Sequence, residues 1–456
     1  MDIAVDLSEN IANTNFPDLP KASIDSAKRS VLDTLGCLLA GTRDPTCMVV
    51  AETVRSWEGK PSATILGCGY GARVGEAAMV NAILARTWDL DDYDPVTGDH
   101  TSIVTIPVGF ALAEALGGTT GKDFLTAMVV ATDMIVRVRR ATPTRYGRGH
   151  WWTGAFYVPL TAAAMGARMM GLDAERTRDA IGIGFTMVSN TMQGHRDGAF
   201  AHKLHQGLVT RGGLDAAYFA ARGVTGAMNI FEGTQGFYQV YHQGKYDREV
   251  CLHDLGKRFL NTDTIMKRYP CVGYANDVIE ACFQAVGERS LRGQDIKEMT
   301  VKVSETGFHM AGEQPWHPPS SVVGAQFNLP FAAAAAVLKR RFGIEELEDF
   351  KNPEVCQLAD RIKVTIDQNL QKGDLAQYQR SPVTVDILTS RGEHLEGRSF
   401  TTAATHSSFD ETAGKFRVCA GYNIRPLDKA AVEHVVDFCR CLEEVKDVRE
   451  IIRTLS

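Results

Sequence analysis

The spacing of apolar residues predicts helices along the first 260 residues of the chain. From Ile24 to Leu38 apolar residues recur every three or four positions, which places them on one face of a helix. Gly41 follows where a helix C-cap is expected. Similar runs occupy residues 76–88, 121–141, 160–171 and 214–222. These runs predict an all-helical domain.

The pattern changes near Lys267. Three short segments, 298–303, Ile362–Ile366 and 383–388, alternate β-forming with polar residues and predict strands. Helices are predicted between them at 331–337 and 353–360, and again after about residue 400, at 429–442 and 445–455. We therefore predict a mainly α protein. A large discontinuous all-helical domain, residues 1–266 plus 400–456, would carry an inserted smaller α+β domain, residues 267–399.

Composition and charge exclude several classes of function. The 456 residues are 44% apolar and 23% charged, which is typical of a soluble globular chain with more than one core. A net charge of -6 gives no basic surface for nucleic acid. An acidic N-terminus and the absence of a run of about 18 apolar residues predict neither a signal peptide nor a membrane span. Ten cysteines without a CxxC pair indicate reduced thiols in the cytoplasm.

The densest chemistry lies at residues 88–100, WDLDDYDPVTGDH, between two apolar runs. One interpretation is proton transfer by Asp89 or Asp92 with His100 as a partner. A second is a divalent metal site, because carboxylates with a nearby imidazole supply oxygen and nitrogen ligands. A third is a capped, solvated turn, for which Asp94-Pro95 and Gly98 are typical. The residues alone leave all three open.

Residues 194–207, GHRDGAFAHKLHQG, supply the clustered positive charge that the chain otherwise lacks. Cations and imidazoles here would suit a substrate carboxylate and stabilise the enolate-like charge formed when an adjacent C–H bond breaks. The alternative is a solvated basic loop, although its apolar residues argue against that. A third segment, KRYPCVGYAN at 267–276, lies where the helical pattern gives way to the mixed one. It predicts either a ligand site in a cleft between domains or a hinge. No glycine-rich phosphate loop follows a strand, so no nucleotide or flavin cofactor is predicted.

With these segments, the chain resembles the MmgE/PrpD family, which includes 2-methylcitrate dehydratase, cis-aconitate decarboxylase and iminodisuccinate epimerase. The motifs that carry the resemblance occur in the family's order along most of the chain. They are AKR and VLDTLG at 27–36, WDLDD at 88–92, KLHQG at 203–207, FEG at 231–233, YPC at 269–271 and AQFNLP at 325–330.

The resemblance implies a large helical domain with a smaller α+β lid, a homodimer, and an active site in the cleft between the domains. It also implies chemistry without a cofactor or a metal, on small di- or tricarboxylates. That chemistry would begin with proton removal next to a carboxylate or with loss of a carboxylate.

Functional residues carry over only in part. Asp89 matches the first Asp of the family signature, whereas Tyr93 stands where the decarboxylases have Thr. His100 matches the family His with one extra residue in the loop. His202 occupies the place of the family Lys, and Lys203 is displaced from it by one residue. Asn276 stands where the family has a His after Tyr-Pro-Cys.

These matches give two sets of candidate residues. The candidate catalytic residues are Asp89, Tyr93, His100, His202 and Lys203. The candidate substrate-binding residues are Arg196, His205, Tyr269 and Asn276.

The predicted function is a lyase of the dehydratase or decarboxylase type acting on a small polycarboxylate. An epimerase of an aminopolycarboxylate or related dicarboxylate is the first alternative. It needs acid/base groups on opposite faces of one carbon, and Asp89 or Tyr93 facing His202 or Lys203 would supply them. A family member that binds a carboxylate without turnover is the second alternative.

Overall fold

The structure is a computed structural model that describes residues 1–142, 151, 154–313, 316–367, 383–399 and 408–456. Within these ranges α-helices predominate, which confirms the prediction of a mainly α chain. No helix in the described part is both long enough and apolar enough to cross a lipid bilayer.

The first half of the chain is a helical assembly. Its helices are α1 (Ile3–Asn13), α2 (Lys21–Gly41), α3 (Pro45–Arg55), α4 (Val74–Arg86), α5 (Ser102–Leu116), α6 (Gly121–Arg140), α7 (Gly154–Met169), α8 (Ala174–Gly184), α9 (Gln193–Arg196), α10 (Ala201–Ala220), α11 (Phe237–His242) and α12 (Arg248–Leu252). The prediction of an all-helical region was wrong in one detail. A short antiparallel hairpin of β1 (Ala63–Ile65) and β2 (Tyr70–Ala72) lies between α3 and α4, and three-residue strands are too short to give an alternating pattern.

The second half is mixed. It contains α13 (Gly273–Val286), β3 (Ile296–Val303), α14 (Glu305–Gly307), α15 (Val322–Gln326), α16 (Leu329–Lys339), α17 (Ile344–Glu348), α18 (Pro353–Ala359), β4 (Ile362–Ile366), β5 (Val383–Thr389) and β6 (His394–Ser399). The four strands form one sheet in the order β4-β3-β5-β6, with β4 parallel to β3 and the other pairs antiparallel. The three predicted strands are confirmed. Strand β6 was missed because its sequence, HLEGRS, is mostly polar.

The chain ends in α19 (Phe409–Ala420) and α20 (Lys429–Arg440). The helix predicted at 445–455 was wrong, since only 3₁₀ turns at Leu442–Glu444 and Val448–Ile451 are found there. The backbone of this segment bonds instead to the start of α6 and to the loop before it. The amide of Gly121 donates to the carbonyl of Val445, and the amide of Val448 donates to the carbonyl of Thr119.

Two large apolar cores are found in the described residues. The larger is built from the first-half helices together with α19, α20 and the C-terminal segment, and the smaller surrounds the four-stranded sheet. Trp88 and Leu90 of the acidic segment belong to the smaller core, along with Cys37 and Ala40 of α2. The acidic segment therefore lies where the two cores meet. The domain boundary predicted at residue 400 falls outside the described residues, and the division into two domains stays a prediction.

Helix α10 packs very closely on α4 because a glycine faces the contact. A Cβ atom added to Gly207 would lie 2.5 Å from Ile83 Cγ1 and 2.6 Å from the carbonyl oxygen of Met79. Lys203 lies one turn before Gly207 on the same face of α10. The close approach at Gly207 therefore brings the Lys203 side chain to the C-terminal end of α4.

We expect Gly207→Ala to lower the free energy of unfolding by about 1–3 kcal/mol, because a methyl group would have to push α10 away from α4. Chemical denaturation would measure the change. Gly414→Ala in α19 is the matched control, since nothing lies within 4 Å of its added Cβ. The control should be neutral or more stable by up to about 1 kcal/mol. Equal stability of the two variants would contradict the packing account.

Candidate active site

The carbonyl groups that follow α4 receive side-chain donors from four separate segments. A helix leaves its last four carbonyls without partners inside the helix, and cations are favoured at this end. The bonds are Lys203 Nζ to Arg86 O (3.3 Å), Gln326 Nε2 to Thr87 O (3.0 Å), Lys267 Nζ to Asp89 O (2.8 Å) and Lys415 Nζ to Leu90 O (2.6 Å). The backbone of residues 86–90 is thus fixed by side chains that lie more than 100 positions further along the chain.

A buried guanidinium organises the carboxylates of this segment. Asp89 adopts a left-handed backbone conformation, with φ of 52°, which Asp tolerates better than most residues. The side chain of Arg86 pairs with the carboxylate of Asp89 and, at 2.9 Å, with Oδ1 of Asp91. All three side chains are at most 1% exposed, so their charges are compensated almost entirely by one another and by nearby lysines.

Lys267 contributes the second cation. Its ammonium lies 2.8 Å from Asp89 Oδ1 as well as from the Asp89 carbonyl oxygen. Tyr93 and Ile265 exchange two backbone hydrogen bonds of 3.0 Å, and this bridge sets Lys267 beside Asp89. The same ammonium lies 5.5 Å from the centre of the Tyr93 ring.

His100 closes the cluster from the other end of the loop. Its Nδ1 lies 2.7 Å from Asp91 Oδ2, and its ring centre lies 5.7 Å from that of Tyr93. Burial lowers the pKa of His100 to about 4; the Arg86 cation lowers it further, and the Asp91 carboxylate acts in the opposite direction. The imidazole is therefore neutral at pH 7. Because Nδ1 faces a carboxylate it carries the proton, which leaves the lone pair on Nε2 to act as a base.

The other groups of the cluster divide by protonation state. Burial raises the pKa of Asp89, but the Arg86 and Lys267 cations outweigh it and hold that pKa well below its usual range. Burial likewise opposes ionisation of Asp91, and Arg86 and His100 nevertheless keep the pKa of Asp91 low. Burial lowers the pKa of Lys203 to about 7, helped by the neighbouring Arg86 cation. Lys203 can thus give or take a proton near neutral pH.

The interpretation of residues 194–207 as a solvated basic loop was wrong. The segment forms α9 and the start of α10, and both His202 and Lys203 are buried. Adjacent helix residues point about 100° apart. Lys203 accordingly reaches Arg86 O, while the His202 ring lies against His195 and Phe327, at centre-to-centre distances of 5.4 and 5.8 Å. Lys203, although displaced by one residue from the family pattern, is the one that touches the acidic segment.

Four of the five candidate catalytic residues, Asp89, Tyr93, His100 and Lys203, lie in or beside the cluster, whereas His202 packs against His195 and Phe327. The four candidate binding residues have other contacts. Arg196 is half-exposed and pairs with Glu313 at 3.1 Å. The Tyr269 hydroxyl donates to Glu280 at 2.9 Å, and Asn276 Oδ1 accepts the amide of Tyr269 at 3.0 Å. His205 is half-buried, and burial lowers its pKa. No described hydrogen bond joins these four residues to the buried cluster, and their binding role stays a prediction.

Two residues of the cluster, Arg86 and Lys267, were missed by the sequence interpretation. Arg86 resembles an ordinary cation in the last turn of an apolar helix, although its apolar neighbours were a signal that it would be buried and need a partner. Lys267 opens the 267–276 segment, but its pairing with Asp89 spans 178 positions of the chain and no local pattern encodes it.

The solvated-turn interpretation of residues 88–100 was also wrong, because all five aspartates are buried. Asp94 does accept the backbone amide of Thr97, as a turn requires, and also pairs with Arg140. Asp99 lies 3.2 Å from Arg139. These two carboxylates therefore anchor the loop to α6 rather than face solvent.

A metal ion is the alternative explanation for the cluster of Asp89, Asp91 and His100. Ligand atoms of Asp89, Asp91 and His100 all lie within 4.8 Å of one another. However, Asp89 Oδ1 and Asp91 Oδ1 already contact Arg86, and Lys267 also binds the former. These ion pairs already compensate both carboxylates without a metal, and the expectation that the site holds none stays a prediction.

Comparison with known proteins identifies the family of this chain. The family model described as the MmgE/PrpD N-terminal domain matches residues 5–249, and that of the MmgE/PrpD C-terminal domain matches residues 269–437. The chain belongs to the MmgE/PrpD family. This confirms the resemblance found in the sequence motifs.

Several curated members of the MmgE/PrpD family are similar to this chain along nearly its whole length. A cis-aconitate decarboxylase-like protein of Aspergillus oryzae is 27% identical, and the alignment covers 100% of this chain and 97% of that protein. The cis-aconitate decarboxylase of Aspergillus terreus is 24% identical, covering 98% and 94%. The human cis-aconitate decarboxylase is 24% identical, covering 93% and 88%. These relatives support a lyase.

In this MmgE/PrpD chain Asp92 bonds to serines rather than to the cations that pair with Asp89 and Asp91. Its Oδ2 accepts hydrogen bonds from Ser30 Oγ at 2.6 Å and Ser102 Oγ at 2.7 Å. Burial, followed by the nearby Asp33 carboxylate, raises the pKa of Asp92 to about 7. The folded protein therefore binds a proton at Asp92 more tightly than the unfolded chain does.

We expect Asp92→Asn to gain thermal stability over the wild type as the pH rises from 5 to about 7.5. The wild type loses stability as pH climbs from the ordinary Asp pKa of 3.8 to about 7, because the unfolded chain ionises first. The amide cannot ionise and still accepts both serine hydroxyls. Calorimetric melting temperatures of both proteins across this range would measure the difference. A difference that stays constant or shrinks with pH would contradict the assignment.

Proposed function

We propose that this protein is a cofactor-independent carboxy-lyase acting on a small di- or tricarboxylate. The observation that carries the proposal is the buried cluster that contains Lys203, with a pKa of about 7 and a bond to the Arg86 carbonyl oxygen, together with Asp89 and a neutral His100. Such a cluster combines a site for an anion with a proton donor and a proton acceptor.

The charge balance of the cluster favours an anionic ligand. Arg86 and Lys267 offset the two carboxylates of Asp89 and Asp91, so protonated Lys203 is an additional positive charge. A substrate carboxylate beside Lys203 would stabilise its ammonium form and raise its pKa. We infer that Lys203 becomes protonated when the substrate binds, and that it later donates this proton.

The chemical step follows from these roles. In a decarboxylation the C–C bond to the departing carboxylate breaks, CO₂ leaves, and the electron pair stays on the carbon. The neighbouring cations stabilise that negative charge, and the Lys203 ammonium donates the proton that replaces the lost carboxyl group. In the dehydratase variant His100 Nε2 would remove a proton next to a carboxylate and Lys203 would protonate the departing hydroxyl.

The relatives favour the decarboxylase variant. The three similar proteins from the two Aspergillus species and human carry the name cis-aconitate decarboxylase or cis-aconitate decarboxylase-like protein. Cis-aconitate is therefore the first substrate to try. Tyr93 borders His100 and Lys267 where the decarboxylase pattern has Thr, so a related polycarboxylate that fits beside a phenol is the second choice.

Incubation with cis-aconitate, 2-methylcitrate, iminodisuccinate and related polycarboxylates in deuterated water, followed by proton NMR, tests the proposal. We expect a product that has lost one carbon as CO₂ and gained one solvent deuterium, with the rate unchanged by a chelator. Loss of water would indicate a dehydratase, and C–H exchange without net loss an epimerase. No exchange and no turnover across the panel would contradict an enzymatic function and favour the binding-only alternative.

The same assay applied to variants tests the assigned residues. Lys203→Met and His100→Gln should each lower the rate by about 10²-fold or more, because each removes a proton-transfer group. His434→Gln, an exposed histidine on α20, is the matched control and should retain the wild-type rate. Near-normal rates in both cluster variants would remove them from the mechanism.

A further inference from the structure

Lys415 of α19 contacts the backbone of the acidic segment at Leu90. Its Nζ lies 2.6 Å from the carbonyl oxygen of Leu90 and 2.6 Å from Asp33 Oδ1 of α2. The side chain is 15% exposed and that of Asp33 is fully buried. One ammonium group thus ties α19, α2 and the loop that carries Asp89 and Asp91.

The backbone on both sides of Asp91 is fixed by this arrangement. Lys415 holds Leu90 on one side, and on the other the amide of Asp92 faces the Asp33 carboxylate while its side chain binds Ser30 of α2. The Asp91 side chain points to Arg86 and His100 instead. Movement of residues 90–92 would therefore change the distances that set the state of His100.

Lys415 itself is not suited to proton transfer. Burial opposes its charge, but the Asp33 carboxylate outweighs burial and raises the pKa of Lys415 above its usual value. The ammonium thus stays charged throughout the neutral range, and its bonds to Leu90 and Asp33 are charge-assisted and strong.

We propose that Lys415 is a positioning residue: it holds residues 90–92 so that Asp89 and Asp91 keep their contacts with Arg86, Lys267 and His100. Its effect on turnover rests on the proposed function, whereas its effect on the loop does not. Lys415 lies in α19, 325 positions along the chain from Leu90.

A cavity beside Lys415 makes the proposal testable by chemical rescue. It has a volume of about 390 Å³ and is lined by Leu90, Lys267, Phe342, Lys415 and Val418, among others. Val418 is 63% exposed, so the cavity reaches the surface. A small alkylammonium ion can enter it and supply the missing charge when the lysine side chain is shortened.

The experiment compares wild type with Lys415→Ala, with and without n-propylammonium, using two readouts. Amide hydrogen exchange in the peptide that covers residues 88–93 should accelerate by about tenfold or more in the variant, since the loop opens more easily. With a substrate from the carboxylate panel, kcat should fall by about 10²-fold with KM changed by no more than about threefold, as expected from misplaced catalytic groups. Propylammonium should restore both, and n-propanol neither.

Two further variants separate positioning from general stability. Lys28→Met removes another buried lysine, whose Nζ lies 2.7 Å from Glu443 and has no described bond to residues 86–93. This variant should leave kcat and the hydrogen exchange of the loop normal. Lys415→Arg keeps a donor and a charge with cavity space beside it, so it should retain most of the wild-type kcat. If Lys415→Ala fails to fold, Lys415→Arg replaces it in both measurements.

The outcomes are distinct. Unchanged loop exchange in Lys415→Ala, an equal loss in Lys28→Met, or equal rescue by propanol would each overturn the positioning role. A wild type without turnover on any carboxylate would contradict the proposed function, while the exchange measurement would still decide the role of Lys415.

Discussion

The structure depends on how the backbone at the C-terminal end of α4 is satisfied. This end is buried, so its carbonyls cannot turn to water, and an unpaired buried carbonyl is costly. Lys203 of α10 and Gln326 of α15 bind the carbonyls of Arg86 and Thr87 at this end, and Lys267 and Lys415 of α19 bind those of Asp89 and Leu90 just beyond it. Each donor is anchored in a different part of the fold. The hydrogen bonds at and beyond the end of α4 therefore also bring together the residues of the candidate active site.

Those lysines would be unstable in this position without the acidic segment. Burying several cations together is unfavourable unless carboxylates compensate them, and Asp89, Asp91 and Asp33 do so directly. Lys203 is the exception, since it bonds only a carbonyl among these partners and its pKa falls to about 7. The fold thus produces one lysine poised between its two protonation states, which is what proton transfer at neutral pH requires.

Sequence patterns predicted the parts of this account that are local. The helices, three of the four sheet strands and the importance of residues 88–100 follow from periodicity and from the unusual density of carboxylates. The choice between His202 and Lys203 could not be predicted, because it depends on the start of α10 and on the close packing at Gly207. Arg86, Lys267 and Lys415 were not singled out, since each acts through contacts with residues that are distant in sequence or through burial.

The buried cluster lowers the pKa of Lys203 to near neutrality. The most direct test is an NMR titration of the protein with ¹⁵N-labelled lysine side chains, in which the Lys203 signal is assigned by its loss in Lys203→Met. The Lys203 ammonium should titrate at a pH of about 7 in the free protein, and its pKa should rise when a polycarboxylate binds. A Lys203 that stays protonated up to its ordinary value of 10.5 without a ligand would contradict the account.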